Sequence, residues 1–171
     1  MNPAYVYLQI YRLFDNHTPI CADCGSLCDK ACCKGDNMGM YLFPNEKSVF
    51  DLLSPSWAKV EESDFAYSYN GKNKKTPIVF CNGHCDRYQR PLACRIFPLT
   101  PYVTKSGQID IIVDPRAKSL CPLSYELELS QYDRTFLKNI KRSFNILAKN
   151  KEVYAFLYEY SLYLDDYLKF F

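Results

Sequence analysis

Apolar side chains recur at Val6, Ile10, Leu13 and Phe14, a three-and-four spacing that puts them on one face of a helix. With Asn2 as a cap and Pro3 in the first helical turn, an amphipathic helix is expected over residues 3–15. The periodicity then stops. From Cys21 to Cys33 the chain reads CADCGSLCDKACC and continues KGDNMGMYLFP, too rich in turn formers and cysteine for a regular apolar face. The geometry of this segment is expected to be set by a ligand. Asn45 is then placed to cap a short helix, EKSVFDLL, which Ser54 and Pro55 end.

Two β-rich runs follow, residues 64–70 (DFAYSYN) and 76–81 (TPIVFC), joined by GKNKK, a pattern that reads as a hairpin with an exposed basic loop. A second hairpin is expected between residues 97–104 and 109–113, turning at Lys105, Ser106 and Gly107. Pro98 and Pro101 suit its first strand to a sheet edge. Beyond Pro122 there is no further cysteine, glycine or proline. Ser130 precedes a helical pattern of Phe136, Leu137, Ile140, Phe144 and Leu147, and Asn150 precedes another of Val153, Phe156, Leu157, Tyr160 and Leu164. The expected fold is a small α+β single domain over residues 1–171. Two β-hairpins surround cysteine-ligated metal in a region spanning 21–123, and a helical hairpin closes the chain over 124–171.

A length of 171 residues suits one domain, and 48% hydrophobic with 23% charged residues supplies a core. The 21 Lys and Arg against 19 Asp and Glu leave a net charge of +2, which excludes the global basic field of a non-specific nucleic-acid or acidic-lipid binder. The 15 tyrosines invite base stacking, but many lie in YAFLYEYSLYLDDYLKFF at helical spacing, where core packing and a helix interface are expected. That end is an oligomer or protein-partner surface if nothing in the monomer covers it. Neither nucleic acid nor membrane is an expected partner.

Nine cysteines depart from ordinary composition. MNPAYVYLQIYRLF has no basic and apolar leader pattern, the cysteine number is odd, and no apolar run approaches the roughly 20 residues of a bilayer span. A cytoplasmic protein with reduced thiols, whose role is to bind metal ions, is therefore expected. Cys21, Cys24, Cys28, Cys32 and Cys33 form one group; Cys81, Cys85, Cys94 and Cys121 form the other. Gaps of two to four residues let neighbouring sulfurs converge on one ion or cluster. The expected ligands are Cys24, Cys28, Cys32, Cys33, Cys81, Cys85, Cys94 and Cys121, with Cys21 spare. Zinc is preferred over an iron–sulfur cluster because eight sulfurs make two four-cysteine sites, although all-sulfur ligation suits both. One site per group and mixed sites are equally compatible with the spacing. Adjacent Cys32 and Cys33, whose side chains usually diverge, suit different centres.

Any helical turn through Cys24, Cys28 and Cys32 would align them on one face, and Asn82 and Gly83 make CNGHC a tight knuckle. Such thiolate sites carry about two net negative charges each, which Lys30, Lys34, Arg87, Arg90 and Arg95 are placed to offset. Arg90 and Arg95 flank Cys94. His84, between two cysteines, is read as a non-ligand. The c-type haem, bacterial ferredoxin and radical SAM spacings are not matched, and no phosphate loop, nucleophile elbow or zinc-protease motif occurs.

CGSLCDKACCKGD with GMYLFP, FCNGHCDRYQRPLACRIFPLTP and IVDPRAKSLCPL together resemble the YkgJ-like cysteine-cluster family, whose shared region is a zinc- or iron-chelating domain. Cys85, Tyr88, Arg90, Pro91, Cys94, Arg95, Phe97 and Pro98 follow that family's second half in order. The first half differs, with three residues between Cys24 and Cys28 and three more before Cys32. The resemblance covers roughly residues 22–123 and implies metal binding through cysteine, without a settled activity. Whether the chain is an enzyme stays open. The alternatives to a structural metal are an iron–sulfur redox or methylase-like modifying enzyme, and a zinc-shaped interaction module presenting Lys72, Lys74 and Lys75 or the tyrosine-rich tail.

Overall fold

Asn2 opens the first helix by accepting a hydrogen bond from the Ala4 amide, and Pro3 occupies the first turn of α1 (Pro3–Arg12). The computed structural model describes residues 2–34 and 39–170. Helix α1 ends three residues before the expected boundary. Its buried face, Ala4, Tyr7, Ile10 and Tyr11, packs on α2 (Lys47–Leu53), and the Tyr7 hydroxyl donates to the Pro44 carbonyl at 2.9 Å. Asn45 does not cap α2 with its side chain. It takes a left-handed φ of 71°, and its carbonyl accepts from Ser48.

A short strand absent from the sequence reading, β1 (Gly39–Tyr41), joins β2 (Ala58–Tyr69) and β3 (Lys72–Cys81) in an antiparallel sheet of order β1-β3-β2. Residues 35–38, part of the turn-rich stretch after Cys33, lie outside the described residues. The first hairpin is longer and its turn tighter than expected. Asn70 and Gly71, with φ of 51° and 70°, make a two-residue turn, the conformation an Asn-Gly pair adopts at least cost. The lysines of GKNKK therefore sit on β3, not in a loop. Lys74 pairs with Glu152 at 2.6 Å and lies over the Tyr69 ring, while Lys75 faces Glu62. This charge stitches the sheet to the C-terminal helix.

The second hairpin forms as expected: β4 (Leu99–Val103) and β5 (Ile109–Val113) are a two-stranded antiparallel sheet, so each strand is an edge and Pro101 displaces no inner ladder bond. Before it, α3 (Leu92–Ile96) carries Cys94; after it come a 3-10 turn (Pro115–Ser119) and the short α4 (Leu123–Glu126). The chain closes with α5 (Arg134–Leu147) and α6 (Lys151–Phe170), joined by three residues. Helix α5 packs on β4 and β5, and α6 on β2 and β4. Phe43 sits between them, its ring 5.0 Å from Phe144 and 5.6 Å from Phe156. The result is one α+β domain. Phe156 and Tyr160 are buried in it, whereas Tyr158, Leu162 and Leu168 stay exposed on α6. No helix among the described residues is long and apolar enough to cross a membrane.

Asp133, not Ser130, caps α5: its carboxylate accepts from the Phe136 amide at 2.7 Å. Asp133→Ala is expected to cost about 1 kcal/mol, a fall of about 2–4 °C in Tm for a chain of this size, whereas Asp133→Asn stays near wild type. Thermal denaturation of the two variants checks this.

Candidate metal centre

The first cysteine group is held by turns, not by a helix. Cys24 starts a 3-10 turn (Cys24–Ser26) capped by Asp23, whose Oδ1 accepts from the Gly25 amide. Asp29 and Lys30 then both adopt positive φ, 49° and 56°, before a second turn (Ala31–Cys33). This left-handed pair breaks the register, so Cys24, Cys28 and Cys32 do not share one helical face. Two successive non-glycine residues in that region cost about 1 kcal/mol or more each, and the surroundings must hold them. Apolar burial does not: none of residues 21–34 is buried, and Leu27 is 58% exposed.

The second group is carried by firmer scaffolding. Cys81 ends β3, the knuckle through Asn82 is shaped by the His84 amide donating to Asn82 Oδ1, and Cys94 sits in α3. Cys121 is buried beside the Pro115–Ser119 turn, its carbonyl accepting from the Ser124 hydroxyl at 2.6 Å. Gly83 marks where the groups meet. Its φ of 87° excludes most side chains, and a Cβ there would lie 3.5 Å from the Cys33 carbonyl.

The structure brings all eight expected ligands to the walls of two adjoining cavities. Cys24, Cys28 and Cys121 line the first, Cys81 and Cys85 the second, and Cys32, Cys33 and Cys94 line both. The neighbours of each thiol set its titration. Burial raises Cys24, and the nearby Cys121 and Cys28 raise it further. Burial likewise raises Cys94 and Cys81, each next to Cys85 and Cys33. Cys32 and Cys33 do not diverge: their sulfurs are 3.9 Å apart in a shared hydrogen bond that holds Cys32 above the ordinary thiol range and Cys33 below it, with Arg90 and Lys30 assisting Cys33. Cys21 stands apart, exposed, its Sγ 3.7 Å from Asp133.

Of the expected cations, Arg90 does what its position suggests, donating from Nε to Cys85 Sγ at 3.0 Å. Arg87 and Lys30 line the first cavity, while Lys34 pairs with Asp29 outside it. Arg95 also lines the first cavity, but its hydrogen bonds go elsewhere. Its guanidinium stacks on Tyr11 at 4.3 Å, donates to the Tyr11 carbonyl and pairs with Asp15, tying α3 to α1. Arg116 also lies elsewhere, paired with Asp114 and Tyr160.

Glu46, a residue the sequence reading takes only as part of a short helix, is fully buried behind the site. Its carboxylate accepts from the Tyr11 hydroxyl and the Leu92 amide, both at 2.6 Å, and from the Phe43 amide at 2.9 Å. It therefore seats the first turn of α3 and with it Cys94. The only sequence signal is an acid at the start of EKSVFDLL, where first-turn acids are commonplace.

Among the described residues no group of three or more His, Cys, Asp or Glu side chains is placed to hold a metal ion. In composition, however, the donor set fits a thiolate-preferring metal: eight sulfurs around two adjoining cavities, with cations at their walls. No family model, curated protein or solved structure matches the chain.

Proposed function

We propose that this chain is a metal-binding protein whose cysteines hold two thiolate-ligated metals, zinc by preference, in a structural role. The observation that carries this reading is the segment 21–34. It contains five cysteines and two left-handed non-glycine residues, yet not one buried residue to hold it in place. Hydrophobic burial cannot fix such a segment, whereas metal–sulfur bonds can.

The neighbour relations favour mixed sets over one site per sequence group. Cys24, Cys28, Cys32 and Cys121 would hold one metal, and Cys33, Cys81, Cys85 and Cys94 the other. Cys32 and Cys33 would then belong to adjoining centres, with Arg90 offsetting charge at the second. Bound metal would supply crosslinks between the turns, the end of β3 and α3. The resemblance to the YkgJ-like cysteine-cluster family supports the same reading.

Elemental analysis and absorption of anaerobically purified protein test it. The expected result is a colourless protein with about two zinc per chain, as four thiolates per metal require. Iron with inorganic sulfide and a visible charge-transfer band would replace zinc by iron–sulfur clusters. Protein that carries neither metal and takes up neither on reconstitution would overturn the reading.

A further inference from the structure

The near-neutral charge of the chain conceals a local excess. Between Arg134 and Lys151 lie Arg134, Lys138, Lys141, Arg142, Lys149 and Lys151 without one Asp or Glu, and the remaining 15 cations face all 19 acids. Among the described residues none of these six cations makes an ion pair. Helix α5 buries Phe136, Ile140, Phe144 and Leu147, so the cations at 134, 138, 141 and 142 run along its exposed side, with exposed Lys149 just beyond its end. Beside them lies an open groove of about 690 Å³, with Ile111, Leu129, Leu137 and Ile146 supplying its apolar wall. Lys138, Lys141, Arg142 and Lys149 line the same groove against, among the described residues, a single acid, Asp110, whose Oδ1 accepts from the Ile111 amide. Ile146 is 40% exposed.

We propose that this groove is a docking site for an acidic amphipathic helix of a partner protein. Two features select that occupant. The unpaired cations call for carboxylates, and the apolar wall calls for aliphatic anchors between them, the pattern of a helix laid in a groove. From Leu137 to the end of α5 at Leu147 the groove follows the helix for about 15 Å, the length of nearly three turns of a partner helix. Nucleic acid fits less well, because among the described residues no aromatic side chain lines the groove to stack a base. A bilayer fits less well too, since of the four apolar wall residues Ile146 alone is exposed. A second copy of this chain offering the exposed face of α6 fits less well. There Asp166 already pairs with Lys169, and Asp165 accepts from the Tyr102 hydroxyl. This inference rests on α5 and β5, not on the cysteines.

The test titrates the full chain, as purified, with a synthetic acidic peptide of about four helical turns carrying Leu at every third or fourth position, read by amide NMR shifts and fluorescence anisotropy. Shifts are expected at Leu129, at Ile111 and between Leu137 and Lys149. Affinity is expected to fall at least about tenfold when the peptide's Leu residues become Gln, and by a similar factor in Lys138→Glu/Lys141→Glu/Arg142→Glu. Circular dichroism confirms that the variant folds, and Ile146→Ser provides a second, milder variant with the same expected direction. Equal binding by the charge-reversed chain would overturn the proposal. So would tighter binding of oligouridylate or phosphatidylserine vesicles, or a dimer that competes with the peptide. Metal content is measured on the same samples, so loss of metal with peptide binding intact would count against the metal reading alone.

Discussion

Stripping metal from the reduced protein with a strong chelator is expected to lower its Tm by more than about 10 °C and to release residues 21–34 from the fold. A structural thiolate zinc contributes on the order of 10 kcal/mol of binding energy that is also folding energy, and in a chain of this size 1 kcal/mol corresponds to about 2–4 °C. The loss is local in its first effect because the two halves of the molecule are held differently. Residues 21–34 have no buried side chain, whereas Phe136, Ile140, Phe144, Phe156, Leu157 and Leu164 pack into a continuous core. Cleavage at Lys30 and Lys34 by a lysine-specific protease should therefore accelerate at once, while most of the helical circular dichroism of α5 and α6 persists. An unchanged Tm and unchanged cleavage after complete chelation would show that the cysteines do not carry a structural metal.

The second large effect is expected at Glu46. Replacing it by Ala leaves the Tyr11 hydroxyl and the Leu92 and Phe43 amides without their acceptor in the interior. Each buried donor left unpaired costs about 1–3 kcal/mol, so a loss of at least about 3 kcal/mol, near 10 °C in Tm, is expected. Glu46→Gln keeps Oε1 for Tyr11 and Leu92 but turns an amide N–H toward Phe43, and should cost less. The same residue imposes a pH dependence. Burial, opposed by the three hydrogen bonds and Arg95, raises its carboxyl from 4.5 to about 7. The folded chain then holds a proton that the unfolded chain has lost. The stabilisation is complete below about pH 4.5 and is lost as pH rises through about 7, a change of about 3 kcal/mol for this shift. Urea denaturation of wild type and Glu46→Gln at a series of pH values isolates the effect, because thiol and metal titrations are common to both. A wild-type advantage that does not shrink from pH 5 to pH 7.5 would contradict it.

Much of the scaffold was legible in local pattern. The helical spacing of Phe136, Ile140 and Phe144 and of Phe156, Tyr160 and Leu164 marks the faces that are buried, because a helix repeats every 3.6 residues whatever it packs against. The errors arise where the reading assigned a role by composition. GKNKK reads as a basic loop, yet Asn70 and Gly71 alone complete the turn, and the lysines become strand residues, Lys74 paired with Glu152 and Lys75 with Glu62. Arg95 flanks Cys94 in sequence but points to α1, since successive residues of a helix project about 100° apart.

By itself the sequence singled out the cysteines and grouped eight of them by spacing, which is a local property; the same eight line the two cavities. Which thiols become neighbours was decided only by tertiary structure. The end of β3, helix α3 and the Pro115–Ser119 turn bring Cys121 toward Cys24 and Cys28, and Cys81, Cys85 and Cys94 toward Cys33. Buried Glu46 and the cationic groove on α5 were equally out of reach of the sequence. A carboxylate at a helix start and lysines on a helix are ordinary until the fold shows which are enclosed and which have no opposite charge beside them.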